Sequence, residues 1–431
     1  MAGGNWEIQN KVRPGAYINF ETNDLAMTGL ESTGTVVIPM MLDWGESGKF
    51  LEVAPNARLK ELFGKNLGGL VPLREAFKGT GAVTVYNLNG EGEKATATSG
   101  SFNISARYGG KDGNKINVTV TVGLNGVCTV KTFFEAIQVD AQMVKVATEL
   151  VSNAYVTFEG SLPSSDISVV LTGGTTIPAT NESYADFAAG LDTQDFKVVA
   201  VGTDDATIKA MIASKIIELR TEAGKNVVFV TNNYNSADHE GVNSVLNGVI
   251  LEENEILTAK DAVYYFGAAY ANAGTSSLTY TEYPGAVDCE RLAHPEIVQA
   301  LQDGHIVFTY NNSRVVIEQD INTFRSFTQE KNQDFRKNKI IREMDIVSDT
   351  VQYIYSTYFI GKMDNTTDGR DVFKGQVMTI ALDPMVRTGD LEYDSEEIEI
   401  IRGAEKDAVL VNMGIEFNDA MEKLYMTVAC K

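Results

Sequence analysis

Apolar and polar residues alternate strictly near both extremes of this sequence. In "LYMTVACK" (residues 424–431), Leu424, Met426, Val428 and Cys430 would share one face of a strand, and Tyr425, Thr427 and Ala429 the other. In "RPGAYINFE" (residues 13–21), Ala16, Ile18 and Phe20 alternate with Tyr17, Asn19 and Glu21, after a Pro14-Gly15 turn signal. Both segments read as short strands. The last one stops before any turn or cap, and an apolar strand with unpaired N–H and C=O groups is a template for another chain. Pairing with the chain's own sheets is the alternative that pattern alone leaves open.

Between these segments the pattern changes twice. "TGTVVIPMMLDWG" (residues 33–45) reads as a buried strand ending in a turn, and "AVTVYNLNG" (residues 82–90) as another strand. "LREAFKG" between them predicts a short helix with Gly79 at its C′ position. From about Glu93 to Thr176 the chain is rich in Thr, Val, Ser and Asn. There, "NKINVTVTVG" places Ile116, Val118, Val120 and Val122 on one face. With "AYVTFEG" and "ISVVLTGG" it predicts a small β-rich module inserted into something else.

Strand and helix periods alternate after that. Asn181 is placed to cap a helix carrying Tyr184, Phe187 and Leu191. "FKVVAVG", "NVVFV" and "GVIL" read as strands. "DDATIKAMIASKIIELRTEAG" is a helix with Ile208, Ile212, Ile216 and Leu219 at helical spacing. Thr258 caps "AKDAVYYFGAAYANAG", and "HPEIVQALQDG" has Pro295 in its first turn and Gly304 at its end. This alternation implies a three-layer α/β core. "HIVFTYNNSRVVIEQ" predicts a hairpin. Beyond it, Ile340, Ile341, Met344, Val347, Val351, Ile354, Tyr355 and Tyr358 mark the stripe of one long helix that Gly361 ends. A second helix over about residues 371–383 and the strands "EIEIIRG" and "AVLVNMGIEF" make the last third an α+β domain.

A length of 431 residues suggests about three domains, and 44% hydrophobic against 22% charged residues permits sizeable cores. The net charge of −22 disfavours nonspecific binding to nucleic acid or an anionic membrane. No apolar run reaches the roughly 18 residues of a membrane span, and "MAGGNWEIQNKVRPG" lacks the apolar region of a secretory signal. Cys128, Cys289 and Cys430 are widely spaced, form no metal or redox motif, and suit a reducing compartment.

Candidate chemistry is sparse. "GESGKF" (residues 45–50) is like the end of a phosphate-binding loop, but Asp43 stands where that loop needs Gly and Phe50 where it needs Ser or Thr. It reads as a surface turn. "LTGG" reads as a Gly-Gly exit from the inserted module. His294-Pro295-Glu296 mimics a zinc deaminase signature without the cysteines that complete it. His239 in "DHE" reads as part of a solvated loop and His305 as the start of a strand. No strained-turn serine motif is present. No catalytic, cofactor-binding or metal-ligating residue is therefore assigned, and a hydrolase with an unrecognised site is the alternative class. One cluster stands out from the acidic background: Lys331, Arg336, Lys337, Lys339 and Arg342 fall within twelve residues. They read either as a solvated helix face or as a docking surface for an acidic partner.

Taken in order, "RPGAYINFE", "GTVVIPMMLDWG", "ARYGGKDGNKINV", "FAAGLDTQDFKVVAV", "SLTYTEYPGAVDCERLAHPEI", "KNQDFRKNKIIREMD" and "DAMEKLYMTV" resemble the sheath proteins of contractile phage tails. The likeness is to sheaths of Gram-positive myophages, defective prophages and phage-tail-like bacteriocins. It implies a self-assembling, non-enzymatic subunit, polymerising in stacked rings around an inner tail tube and contracting to drive that tube through a cell envelope. Another virion assembly protein is the nearer alternative. The resemblance also implies a multidomain α/β chain whose core has a subtilisin-like, non-catalytic topology. No cofactor is expected.

The implied divisions are an N-terminal arm at 1–22, the N-terminal part of the core at 23–92, a β-sandwich-like module at 93–176, a central α/β domain at 177–318, a C-terminal domain at 319–420 and a C-terminal arm at 421–431. In such sheaths the arms leave their own subunit and add strands to neighbours' sheets. This assigns Ala16, Tyr17, Ile18, Asn19 and Phe20, with Leu424, Tyr425, Met426, Thr427 and Val428, to inter-subunit strands. Arg336, Lys337, Lys339 and Arg342 become candidates for docking on the tube. The implied partners are further copies of the chain, the tail tube protein, and baseplate and tail-terminator proteins, without direct nucleic-acid contact or membrane insertion. The implied setting is a virion tail or tail-like particle assembled in the bacterial host cytoplasm.

Overall fold

Short β-branched runs, separated by helical segments, build a parallel sheet in the larger of two units. The computed structural model describes residues 2–4, 15–17, 24–26, 35–90, 92–123 and 126–430. One unit comprises Met1–Val37, Glu75–Ala82 and Gln194–Lys431; the other comprises Ile38–Arg74 and Val83–Thr193.

Strands β1 (Val36–Met40, of which Val36 and Val37 belong to the larger unit), β2 (Val198–Val201), β3 (Val228–Asn232), β4 (Val242–Val245) and β5 (His305–Ile306) lie side by side in chain order. Val198 pairs with both Val36 and Val228, Phe229 with Val242, and Ser244 with His305, all in parallel register. Parallel strands are covered on both faces, which explains the unbroken apolar run of β2 and its complete burial. Strand β4 departs from that pattern. Asn243 and Ser244 are polar yet wholly buried: Asn243 Oδ1 accepts from the Asn338 amide at 2.7 Å, and Ser244 Oγ meets His305 Nδ1 at 2.9 Å.

Helix α1 (Ala206–Thr221) starts at Asp205, whose carboxylate accepts the N–H groups of Thr207 and Ile208, and it buries Ile208, Ile212, Ile216 and Leu219. Helix α2 (Ala259–Asn272) is capped by Thr258 and Asp261 and is buried all round from Ala262 to Ala271. Gly267 permits its close approach to the sheet: a Cβ there would stand 3.1 Å from the Ala200 side chain. Gly79 needs correction as a helix terminator. It is not left-handed, and a Cβ would lie 2.5 Å from the backbone N of Ala269, so close packing explains the glycine. Helix α3 (His294–Gln302) has the expected first-turn proline. The hairpin Phe308–Asn311/Arg314–Ile317 turns through Asn312 and Ser313, both at positive φ.

Helix α4 (Asn338–Ile354) is shorter than its predicted stripe. A wider π turn, Tyr355–Phe359, follows it and leaves Tyr358 exposed. Val347, Val351 and Ile354 pack with Phe373, Leu382, Leu391 and Ile398. The next helix, Thr367–Gln376, begins earlier than predicted because Thr366 caps it. Ile398–Arg402 pairs with Val409–Met413, and Ile415–Phe417 with Leu391–Glu392.

The smaller unit contains a β-sandwich. One sheet orders Ile137–Val144, Cys128–Phe134, Ile116–Val122 and Ile167–Val170; the other orders Val156–Gly160, Phe102–Gly109 and Lys94–Ser99. Ile116, Val118 and Val120 point into its core, beside Phe102, Val130 and Phe134. Trp44 joins that core, stacked on Tyr155 and edge-on to Tyr108, so the folded unit reaches beyond the module expected at 93–176. Helix Asn181–Gly190 is capped by Thr180, whose side chain accepts the Ser183 N–H, rather than by Asn181.

Near the start of the sequence, Gly15–Tyr17 pairs in parallel with Ala2–Gly4, which sets Ala16 opposite Gly3 and Tyr17 opposite Gly4. Ile18, Asn19 and Phe20 lie outside the described residues.

Candidate functional site

Beyond Phe417 the chain enters no strand among the described residues. The alternation over residues 424–428 is nonetheless fully displayed: Leu424 is 87% exposed, Tyr425 89%, Met426 75% and Val428 69%. Large apolar side chains in this number are rarely left in water without a partner surface.

The stretch leading into this segment is held firmly. Asn418 donates its backbone N–H to the Asp390 carbonyl at 2.9 Å and its side-chain amide to the Gly389 carbonyl at 3.1 Å. Its own carbonyl accepts from Lys339 Nζ at 2.6 Å. Lys337 Nζ reaches the carboxylates of Asp419, at 2.8 Å, and Glu422, at 2.5 Å. Glu422 also accepts from Thr279 Oγ1 at 2.8 Å and Gln319 Nε2 at 2.7 Å. Burial opposes the charge on Glu422, but the hydrogen bonds from Lys337 and Gln319 prevail and hold its carboxyl below its ordinary range. Burial likewise opposes the charge on Lys337, and its bonds to Asp419 and Glu422 raise the amine above its ordinary value.

The basic cluster is therefore neither a solvated face nor an open docking patch. Arg342 is buried; it donates to the carbonyls of Gly274 at 3.0 Å and Ser276 at 2.6 Å, to Asp320 at 2.8 Å, and lies over the Tyr270 ring. Arg336 donates to the Leu301 carbonyl, and Lys331 bonds Glu240 at 2.6 Å. Lys339 bonds Glu343 as well as Asn418. Burial pushes the Glu343 carboxyl up to about 8, against the pull of Lys339. Backbone carbonyls of Gly274, Ser276, Leu301 and Asn418 and the carboxylates of Asp320, Asp419 and Glu422 reach the cations at the start of α4 from remote segments.

The "DHE" reading also changes. His239 and Glu240 are mostly buried, and His239 Nδ1 accepts the Gly241 N–H at 2.9 Å. Burial pushes the His239 imidazole down to about 4, so the ring is neutral at neutral pH. Lys49 of "GESGKF" pairs with Glu46 in an exposed turn. The Gly174 N–H of "LTGG" is taken by Asn114 at 2.8 Å. Among the described residues, no group of three or more His, Cys, Asp or Glu is arranged to hold a metal ion.

The structure thus brings Lys337 and Lys339 to the root of the C-terminal segment and sets Arg336 and Arg342 apart from it. Sequence reasoning missed Glu422, Thr279 and Gln319. Nothing local distinguishes Glu422 from the other members of a set of 58 acidic residues, because its three partners lie far away in sequence.

Comparison with known proteins gives a consistent picture. Four family models match in succession: the tail sheath protein Gp18 domain III N-terminal region at residues 33–88, the phage tail sheath protein beta-sandwich domain at 90–179, the phage tail sheath protein central domain at 178–323 and the phage tail sheath C-terminal domain at 330–431. The chain is 33% identical to the phage-like element PBSX protein XkdK of Bacillus subtilis, over 99% of each chain. Among solved structures, it is 31% identical to a sheath tail protein from Desulfitobacterium hafniense, with a TM-score of 0.85 over 96% of this chain and 99% of that one. A sheath tail protein from Listeria innocua is also 31% identical, with a TM-score of 0.79 over 93% of this chain and 96% of the other.

Proposed function

The chain belongs to the phage tail sheath protein family and is a structural sheath subunit; on that premise, we propose that it links to neighbouring copies by lending them its last strand. What carries this reading is the bare alternation of residues 424–428 beyond a root that the subunit itself holds. A strand laid along an open edge of a neighbour would gain backbone hydrogen bonds at roughly 0.5–1.5 kcal/mol each. Burying Leu424, Met426 and Val428 would add about 1.5–3 kcal/mol per side chain. Ordering the segment costs about 1–2 kcal/mol per residue. Gains and cost are of the same size, so a single link is weak and a lattice of links is strong.

The same reading extends to Ala16, Tyr17, Ile18, Asn19 and Phe20 as the second exchanged strand. It includes stacked rings around a tail tube, contraction, and attachment to baseplate and terminator proteins. The role is non-enzymatic, and the central α/β domain is a three-layer, subtilisin-like scaffold without catalytic use. The division at 1–22, 23–92, 93–176, 177–318, 319–420 and 421–431 belongs to this proposal, as does assembly in the host cytoplasm.

Negative-stain microscopy and sedimentation of purified protein test it. The full chain forms long hollow cylinders. A variant lacking residues 424–431 stays monomeric and melts as the unassembled full chain does. Cylinders from the truncated variant, or its unfolding, would overturn the strand exchange.

A further inference from the structure

We infer that Glu422 is a positioning residue: it fixes the point and direction from which residues 424–428 leave the subunit. This deepens the strand-exchange reading and rests on it. Thr279, Gln319 and Lys337 come from three separate segments, the chain after α2, the chain after the hairpin and the entry to α4, and all three donate to this one carboxylate. Its side chain is 10% exposed. Two residues later, Leu424 is almost wholly in water. Met421, just before Glu422, is fully exposed as well, so Glu422 is a single held point after which the bare alternation begins.

A simple surface ion pair would not have this effect, since such pairs hold side chains loosely. Here a carboxylate with three donors of fixed origin forms a knot, and Asn418 and Asp419 form its other end. Releasing Glu422 moves the first fixed point back to Asp419, which Lys337 still holds. The tether to Val428 then lengthens by about half, and the effective concentration of the strand at its acceptor falls roughly twofold from length alone. Loss of direction acts on top of this, and every link in a polymer feels it.

The test uses the full chain with its arm intact. Cys430 is exposed while Cys128 and Cys289 are buried, so a fluorophore can be placed at Cys430. In Glu422→Ala the label should tumble faster in the monomer, and the critical concentration for polymerisation should rise at least about twofold. Gln319→Leu removes one donor and should shift both readouts the same way by less; it also serves if Glu422→Ala folds poorly. Unchanged label motion in both variants overturns the inference, and so does faster motion with an unchanged critical concentration. The variant lacking residues 424–431 separates the two levels. If it fails to polymerise while Glu422→Ala polymerises as the parent does, strand exchange stands and the root assignment falls. If the truncated variant polymerises normally, strand exchange falls, and the root assignment falls with it.

Discussion

The strand Ile116–Val122 and the segment at residues 424–430 carry the same alternation and end in opposite environments. In the first, Cys128–Phe134 pairs on one side and Ile167–Val170 on the other, and Ile116, Val118 and Val120 vanish into the sandwich core. In the second, Leu424, Met426 and Val428 stand in water. Both can form a pleated strand with one apolar face. They differ in what the chain supplies beside them. Alternation encodes a face to be buried and leaves the identity of the partner open. A partner nearby in sequence closes a sheet at home, and a partner absent at home leaves a strand available to others.

Three changes break or sharpen this contrast. The largest effect is expected from Val118→Asp, which puts an unpaired carboxylate into the sandwich core and should cost about 3–5 kcal/mol. The matching Val428→Asp should leave the monomer's thermal melt within about 0.5 kcal/mol, because the site is exposed. Paired melts of the two variants would refute the contrast if both unfolded the protein. Next comes Thr427→Pro, which removes one N–H and disrupts a ladder. The monomer melt should not move, while each inter-subunit link should weaken by about 1 kcal/mol, read as a several-fold rise in critical concentration. A lowered melt would mean that the segment is paired at home.

The smallest effect should come from acid. The Glu422 carboxyl is held below its ordinary value of 4.5, so its contribution is complete above that value and is lost as the pH falls through its lower folded value. Hydrogen exchange between pH 6 and 3, corrected for intrinsic rates, should show protection fading at residues 418–422 before it fades in Ile116–Val122. Simultaneous loss would show that the root has no titration of its own.

The regular elements were largely legible. Val198–Val201 and Ala206–Thr221 announce themselves because burial on two faces demands an apolar run and burial on one demands helical spacing. Strand β4 was hidden because Asn243 and Ser244 are polar and yet interior, an outcome decided by Asn338 and His305 from elsewhere. The bare C-terminal alternation was visible, and its anchor was not. The basic cluster misled for the same reason: charge read along a chain suggests solvent, but Asp320, Asp419 and Glu422 reach those cations only after folding. At Gly79 the sequence signal for a helix end misleads, since helix termination and close packing both select glycine and here only the packing operates.

The knot at Glu422 also has a metric consequence. A strand advances about 3.3–3.4 Å per residue, so Val428 can stand no farther than about 20 Å from Glu422 however it is drawn out. Under strand exchange this length is a leash. Two linked subunits can turn, tilt or slide in any manner that keeps the donor's root within that radius of the acceptor's edge. Any excursion beyond it must pull the strand off its acceptor, beginning at the residue nearest the root.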